Sequence, residues 1–171
     1  NSLVVNFNPF ANNPNWPTMK GIFEPMMVYN TLKSELVPWL AESYAWSDDF
    51  KTLTFKLRND VKWSDGTPFT ANDVVYTFNL LKTTQGLSGS GLTALNGVVD
   101  TFSAPDDQTV VFTMKTVNTL AVYDIANQDI VPEHIWKDVT DPAKWPNEKP
   151  VGTGPFTELV DMQSQAYQIN N

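Results

Sequence analysis

The chain has 171 residues, with 11 Lys+Arg against 19 Asp+Glu and a formal net charge of -8, so it lacks the basic footprint that nucleic-acid backbones and anionic membranes require. Hydrophobic residues make up 42% and aromatic residues 12%, enough for a packed core and too much for an intrinsically disordered chain. With no cysteine there is no disulfide framework, no thiolate nucleophile and no Cys-based zinc or iron–sulfur centre.

Ser2 to Phe7 is a β-like run with Val5 and Phe7 in alternation, and Pro9 ends it. The next stretch, Asn8 to Pro17, holds three prolines and four asparagines and reads as a loop. Ile22 to Tyr29 is apolar and interrupted by Pro25, and Pro38 to Glu42 starts a short apolar segment, either a helical turn or a strand lead-in. Ser47-Asp48-Asp49 predicts a turn. Leu53, Phe55 and Leu57 then alternate with polar residues, as in a half-buried strand. Val61-Lys62-Trp63 repeats the alternation, and Asp65-Gly66-Thr67-Pro68 predicts a second turn, with glycine free to take positive φ.

Thr70-Ala71-Asn72-Asp73 has the pattern of a capping box, so a helix is expected to begin there. Its apolar positions Val74, Val75, Phe78 and Leu81 fall on one face, and Lys82 sits where the helix dipole favours a cation. Thr84 to Gly97, with four glycines and two serines, reads as a flexible loop. Val98 to Phe102 and Val110 to Met114 are expected strands, paired antiparallel around a turn at Ala104 to Asp107. Leu120 to Ala126 is expected to be helical, and Pro132 suits the first position of a short helix reaching Trp136. Asp141 to Pro150 is a Pro-rich connector, and Phe156 to Val160 and Ala166 to Ile169 are strand-like.

No apolar stretch approaches the roughly 18 residues that span a bilayer, and the N-terminus lacks a basic-then-apolar export pattern. A soluble chain, with any export signal already removed, is therefore expected. Charged residues are only 18%, so 16 Asn and 18 Thr must supply much of the polar surface.

Leu40-Ala41-Glu42-Ser43-Tyr44, Ser47-Asp48-Asp49, Thr54 to Arg58 and Trp63 to Val74 together resemble the signature of family 5 extracellular solute-binding proteins. Phe23-Glu24-Pro25-Met26, Ile130-Val131-Pro132 and Pro150 to Phe156 extend the resemblance in the same order over nearly the whole chain. Members serve ABC importers of peptides, nickel and, in one branch, oligosaccharides. The resemblance implies a mixed α/β (α+β) chain, the N-terminal part of a two-lobed periplasmic-binding-protein-like fold with the family's extra domain. Residues 1–19 would be the first strand and ligand-facing loop of the binding lobe, 20–149 the extra domain and connector, and 150–171 the return to the lobe's sheet. The C-terminal lobe would be absent, because members of the family are considerably longer.

The resemblance also places the loop after the first strand against the ligand cleft. Trp16 and Phe10 would supply aromatic faces there, and Asn8, Asn12, Asn13 and Asn15 hydrogen bonds without the penalty of desolvating a charge. These amides and the low charge favour an oligosaccharide ligand over an oligopeptide, with nickel third because His134 is the only histidine. The implied function is non-enzymatic: a monomeric, extracytoplasmic receptor, in the periplasm or lipid-anchored at the cell surface. It would close its lobes on a small molecule and deliver it to an ABC permease, with no cofactor or metal. A glycoside hydrolase would need two carboxylates facing one cleft, and Asp48-Asp49 and Asp106-Asp107 read instead as turn residues; a cell-surface structural module is the third alternative.

Each remaining feature has a structural reading. Trp39, Trp46, Trp63, Trp136 and Trp145 are expected in the core and His134 at the surface, while Glu24 is expected either to pair or cap internally or to meet a ligand. Gly152-Thr153-Gly154-Pro155 lacks the lysine of a phosphate loop and reads as a tight crossover into the lobe.

Overall fold

A computed structural model describes residues 5–156 throughout and the backbone of 158–163 and 166–170. Its centre is a four-stranded antiparallel sheet of β3 (Ala41–Trp46), β4 (Thr52–Leu57), β5 (Val99–Asp106) and β6 (Thr109–Met114), in the order β3-β4-β6-β5. Alternation builds its buried face: Leu53, Phe55 and Leu57 from β4 lie beside Val110, Phe112 and Met114 from β6. Helix α1 (Ala71–Thr83) covers that face through Val74, Phe78 and Leu81. Phe78 meets Phe112 edge-on at 4.9 Å between ring centroids, and Phe112 meets Phe55 in the same way at 6.0 Å. Such edge-to-face pairs add to the burial of the rings themselves.

The α1 start follows the expectation. Asp73 Oδ2 accepts from the Thr70 amide at 2.9 Å and Oδ1 from the Glu133 amide at 2.9 Å, so one carboxylate closes the capping box and starts α4 (Glu133–Trp136). One turn on, the Thr77 hydroxyl accepts from the Val131 amide at 3.1 Å and donates to the Asp73 carbonyl at 2.8 Å. Through these two side chains the segment before α4 is fixed to α1.

A hairpin of β1 (Met27–Asn30) and β2 (Glu35–Pro38) precedes the sheet. Pro38 to Glu42 resolves as a strand lead-in: β2 ends at Pro38 and β3 begins at Ala41. The expected Asp65 to Pro68 turn forms, with Gly66 at φ +89°. Helix α3 (Ala121–Ala126) matches its expectation, and β7 (Glu158–Gln163) and β8 (Ala166–Asn170) pair antiparallel near the expected places.

Three expectations change. Thr84 to Gly97 is not loop throughout, because Ser90–Gly97 forms helix α2. Its composition disfavours a helix, and packing overrides it: Ala94 and Leu95 are buried, the Gly91 amide donates to the buried Gln128 Oε1 at 3.0 Å, and the missing side chain of Gly91 lets the Phe78 ring approach. The turn expected at Ala104 to Asp107 shifts, because β5 runs on through Pro105 to Asp106 and the reversal falls at Asp107-Gln108. Of the expected first strand, residues 1–4 lie outside the described part; Val5 to Phe7 form no strand, and the Phe7 amide donates to the Pro146 carbonyl at 2.8 Å.

Candidate functional site

The loop from Asn8 to Pro17 is held from three sides. Asn8 is buried, its Nδ2 donating to the carbonyls of Pro142 and Trp145, each at 2.8 Å, while its Oδ1 accepts from the Phe10 amide at 2.9 Å. Phe10 is also buried, edge-on to Trp136 at 5.1 Å, and Trp136 meets Trp145 at 4.9 Å. The amide and the hydroxyl of Ser88 both donate to the Phe10 carbonyl at 2.9 Å. Nothing of Phe10 or Asn8 is left to touch a ligand. The expectation for these two is corrected to anchoring: an aromatic ring and an amide on a Pro-rich loop fasten it to the Trp136/Trp145 connector.

Asn15 is half-buried and also braces the loop. Its Oδ1 accepts from the Asn6 amide at 2.5 Å, its own amide donates to the Asn6 carbonyl at 2.6 Å, and its carbonyl accepts from the Thr18 amide at 3.0 Å. What the braced loop presents outward is Trp16, 70% exposed, with Asn12 and Asn13, also exposed, earlier in the loop. The Trp16 ring lies 5.7 Å from Phe156 at a tilt of 58°, and the Trp16-Pro17 peptide is cis. Exposed Met19 follows on the next turn.

That turn runs against the returning chain. The amides of Gly154 and Phe156 donate to the carbonyls of Ile22 and Gly21 at 3.0 and 3.2 Å, and a Cβ on Gly152 or Gly154 would overlap the Ile22 or Gly21 carbonyl. The Gly-Thr-Gly-Pro run is therefore a backbone-to-backbone crossing, as its sequence suggests. Asp129 forms an isolated antiparallel bridge with Pro25. Burial pushes its carboxyl up to about 7, against the pull of the Lys20 charge and amide and with a smaller push from Glu24. Asp129 Oδ1 is buried with no partner among the described residues.

The other titratable candidates carry structural contacts. Asp49 accepts from the Ser47 hydroxyl at 2.6 Å and the Lys51 amide at 3.1 Å, which hold its carboxyl below the usual range. Asp106 is lowered likewise by the Thr109 hydroxyl and the Gln108 amide. His134, half-buried, pairs with Asp65 at 2.7 Å. Among the described residues no group of three or more His, Cys, Asp or Glu is arranged to hold a metal ion.

Of the other tryptophans, Trp63 and Trp136 are buried and Trp46 and Trp145 half-buried, whereas Trp39 is 44% exposed. Trp39 is not a core residue because its indole N–H reaches Glu24 Oε1 at 2.7 Å, leaving the ring on the surface. Its place in the apolar Pro38 to Glu42 segment gives it the pattern of a core residue, and the only sequence signal against that is Glu24, 15 residues earlier.

Comparison with known proteins gives a consistent result. Residues 35–165 match the family model described as bacterial extracellular solute-binding proteins, family 5 Middle. A Brucella ovis protein named as the peptide-binding component of an ABC transporter is 34% identical over 155 residues, covering 88% of this chain and 29% of its own length. The nickel-binding periplasmic protein of Escherichia coli is 42% identical over 79 residues, covering 43% of this chain and 15% of that protein. Among solved structures, a periplasmic oligopeptide-binding protein from Thermotoga maritima with bound mannohexaose superposes with a TM-score of 0.83 at 29% identity, over 95% of this chain and 31% of that one. The chain thus spans about a third or less of the proteins it matches.

Proposed function

The chain belongs to the bacterial extracellular solute-binding proteins of family 5, and from that premise we propose that it is part of an ABC-importer receptor that captures a short peptide outside the cytoplasm and presents it to a membrane permease. The observation that carries this reading is Trp16: a large aromatic face, 70% exposed, on a loop that Asn8, Phe10 and Asn15 anchor to the rest of the fold. A side chain held out on a rigid base loses little freedom when a ligand stacks on it. Asn12 and Asn13, exposed on the same loop, carry amides suited to peptide or sugar groups.

Peptide is placed ahead of oligosaccharide, reversing the order that composition suggests. The relatives covering most of this chain are named for peptide binding, and the low charge that favoured a sugar describes only the part of the receptor in hand. Oligosaccharide stays as the second reading, supported by the exposed indole with exposed amides on the same loop and by the mannohexaose in the Thermotoga structure. The division at 1–19, 20–149 and 150–171 is supported by the crossing of Gly21-Ile22 with Gly152 to Gly154, where the outgoing and returning chains meet. Closure of a second lobe over Trp16 would complete the cleft. A monomeric, non-enzymatic, extracytoplasmic receptor fits this reading, and no helix among the described residues is long and apolar enough to cross a membrane.

Isothermal titration of the full-length protein with short peptides and with manno- and cello-oligosaccharides tests the proposal. Saturable heat from peptides supports the first reading and saturable heat from sugars the second. Cleavage of either without retention of ligand overturns the receptor reading.

A further inference from the structure

A polar groove of about 560 Å³ is lined by no residue of 8–16. Its apolar wall is the exposed Trp39 ring with Pro38, Leu40 and Val61, and its polar members are Glu24, Arg58, Asp60, Lys62 and Thr153. That volume is within the range of small-molecule sites.

The charges divide into a closed pair and an open one. Arg58 grips Asp60 with two hydrogen bonds, Nε to Oδ1 at 3.0 Å and Nη2 to Oδ2 at 2.8 Å, so the two neutralise each other. Glu24 is 7% exposed; its Oε1 is occupied by the Trp39 indole and its second oxygen has no partner among the described residues. Lys62, exposed on the same groove, has no ion-pair partner among them either. The groove therefore offers one unpaired anion, one unpaired cation and an aromatic platform fixed by the hydrogen bond to that same anion. A net charge on the ligand would leave one side unmatched. A neutral sugar would meet both charges with weaker, half-ionic hydrogen bonds, whereas a ligand carrying both signs forms charge-assisted bonds to each.

We propose that this groove binds a free α-amino acid with an apolar side chain, its ammonium on Glu24, its carboxylate on Lys62 and its side chain against Trp39. The site is separate from the Trp16 surface and does not depend on what that surface captures.

The test is ligand-observed NMR and calorimetry on the full chain with L-leucine, N-acetyl-leucine and leucinamide, the last two lacking the ammonium and the carboxylate respectively. Leucine is expected to bind saturably and both derivatives about tenfold or more weakly, the loss of one charge-assisted contact. Glu24→Gln, which keeps an acceptor for the Trp39 indole, and the surface change Lys62→Met should each weaken leucine by a similar factor, while Trp16→Ala leaves it unchanged. No saturable leucine binding, equal binding of the derivatives, or leucine binding that survives both groove variants and disappears with Trp16→Ala overturns the proposal. So does binding of cellobiose in the groove in place of leucine. Failure of peptide binding at Trp16 with leucine binding intact would count against the receptor reading alone.

Discussion

Gly154 donates its amide to the Ile22 carbonyl at 3.0 Å, and this contact fixes where the Gly152 to Gly154 stretch crosses the chain at Gly21 and Ile22. The two backbones come so close that a Cβ on Gly154 would overlap the Gly21 carbonyl oxygen, and one on Gly152 the Ile22 oxygen. Neither glycine is needed for positive φ; each is needed for space. Gly154→Ala should lower the unfolding free energy of the full chain by about 3 kcal/mol, since backbone rather than a flexible side chain must give way. Gly97→Ala, where a Cβ meets nothing within 4 Å at the end of α2, should be neutral or stabilising by about 0.5 kcal/mol. Urea denaturation of both variants checks the contrast.

Asp73 supports three elements with one side chain. Besides the Thr70 and Glu133 amides it accepts from the Trp63 indole at 3.3 Å, and burial raises its carboxyl despite these hydrogen bonds. Asp73→Ala would leave three donors without their partner, which predicts a loss of about 3 kcal/mol, well beyond the ~1 kcal/mol of an ordinary lost cap. Equilibrium unfolding followed by Trp fluorescence reads this directly, because Trp63 is among the affected groups.

Much of this was legible in the sequence where local chemistry and tertiary packing agree. The alternation of Leu53, Phe55 and Leu57, the Thr70/Asp73 box and the α1 stripe all describe elements that bury one face in a regular period. Helix α2 was not legible, because it is held by contacts outside its own segment, with the Phe78 ring on α1 and with Gln128, 37 residues from Gly91. The Asn8 to Trp16 loop was half legible: composition marks it as irregular and places its aromatics in view, but only the fold shows Phe10 against Trp136 and Trp16 in solvent. Trp39 was misplaced for a related reason, since a surface position held by one long-range hydrogen bond has no local pattern.

Asp129 should make stability depend on pH. In the unfolded chain its carboxyl ionises near 3.8, whereas the folded protein keeps it protonated up to about 7 because ionisation would put a charge where solvent does not reach. Folding therefore retains a proton over that window. The group's contribution is fully present below about pH 4 and is lost as pH rises towards 7, by up to about 4 kcal/mol. Asp129→Asn, which cannot ionise, should remove this slope and stand more stable relative to the parent at pH 8 than at pH 4. Urea midpoints of the two proteins across pH 4 to 8 supply the test, and parallel curves would refute the assignment.

Trp16 should separate binding from folding. The ring is 70% exposed, so little apolar surface is recovered from water when the protein folds. Trp16→Ala is expected to change stability by less than about 1 kcal/mol. If the indole is the platform on which ligand stacks, the same change should weaken ligand binding about tenfold or more, since stacking adds to the area that the ring buries on binding. Phe10→Ala should do the reverse: about 3–4 kcal/mol of stability lost from a fully buried ring, with ligand affinity in the remaining folded protein falling only as far as the loop loosens. Calorimetric titration beside denaturant unfolding distinguishes the two residues, and a Trp16→Ala protein with parental affinity would remove the loop from the site.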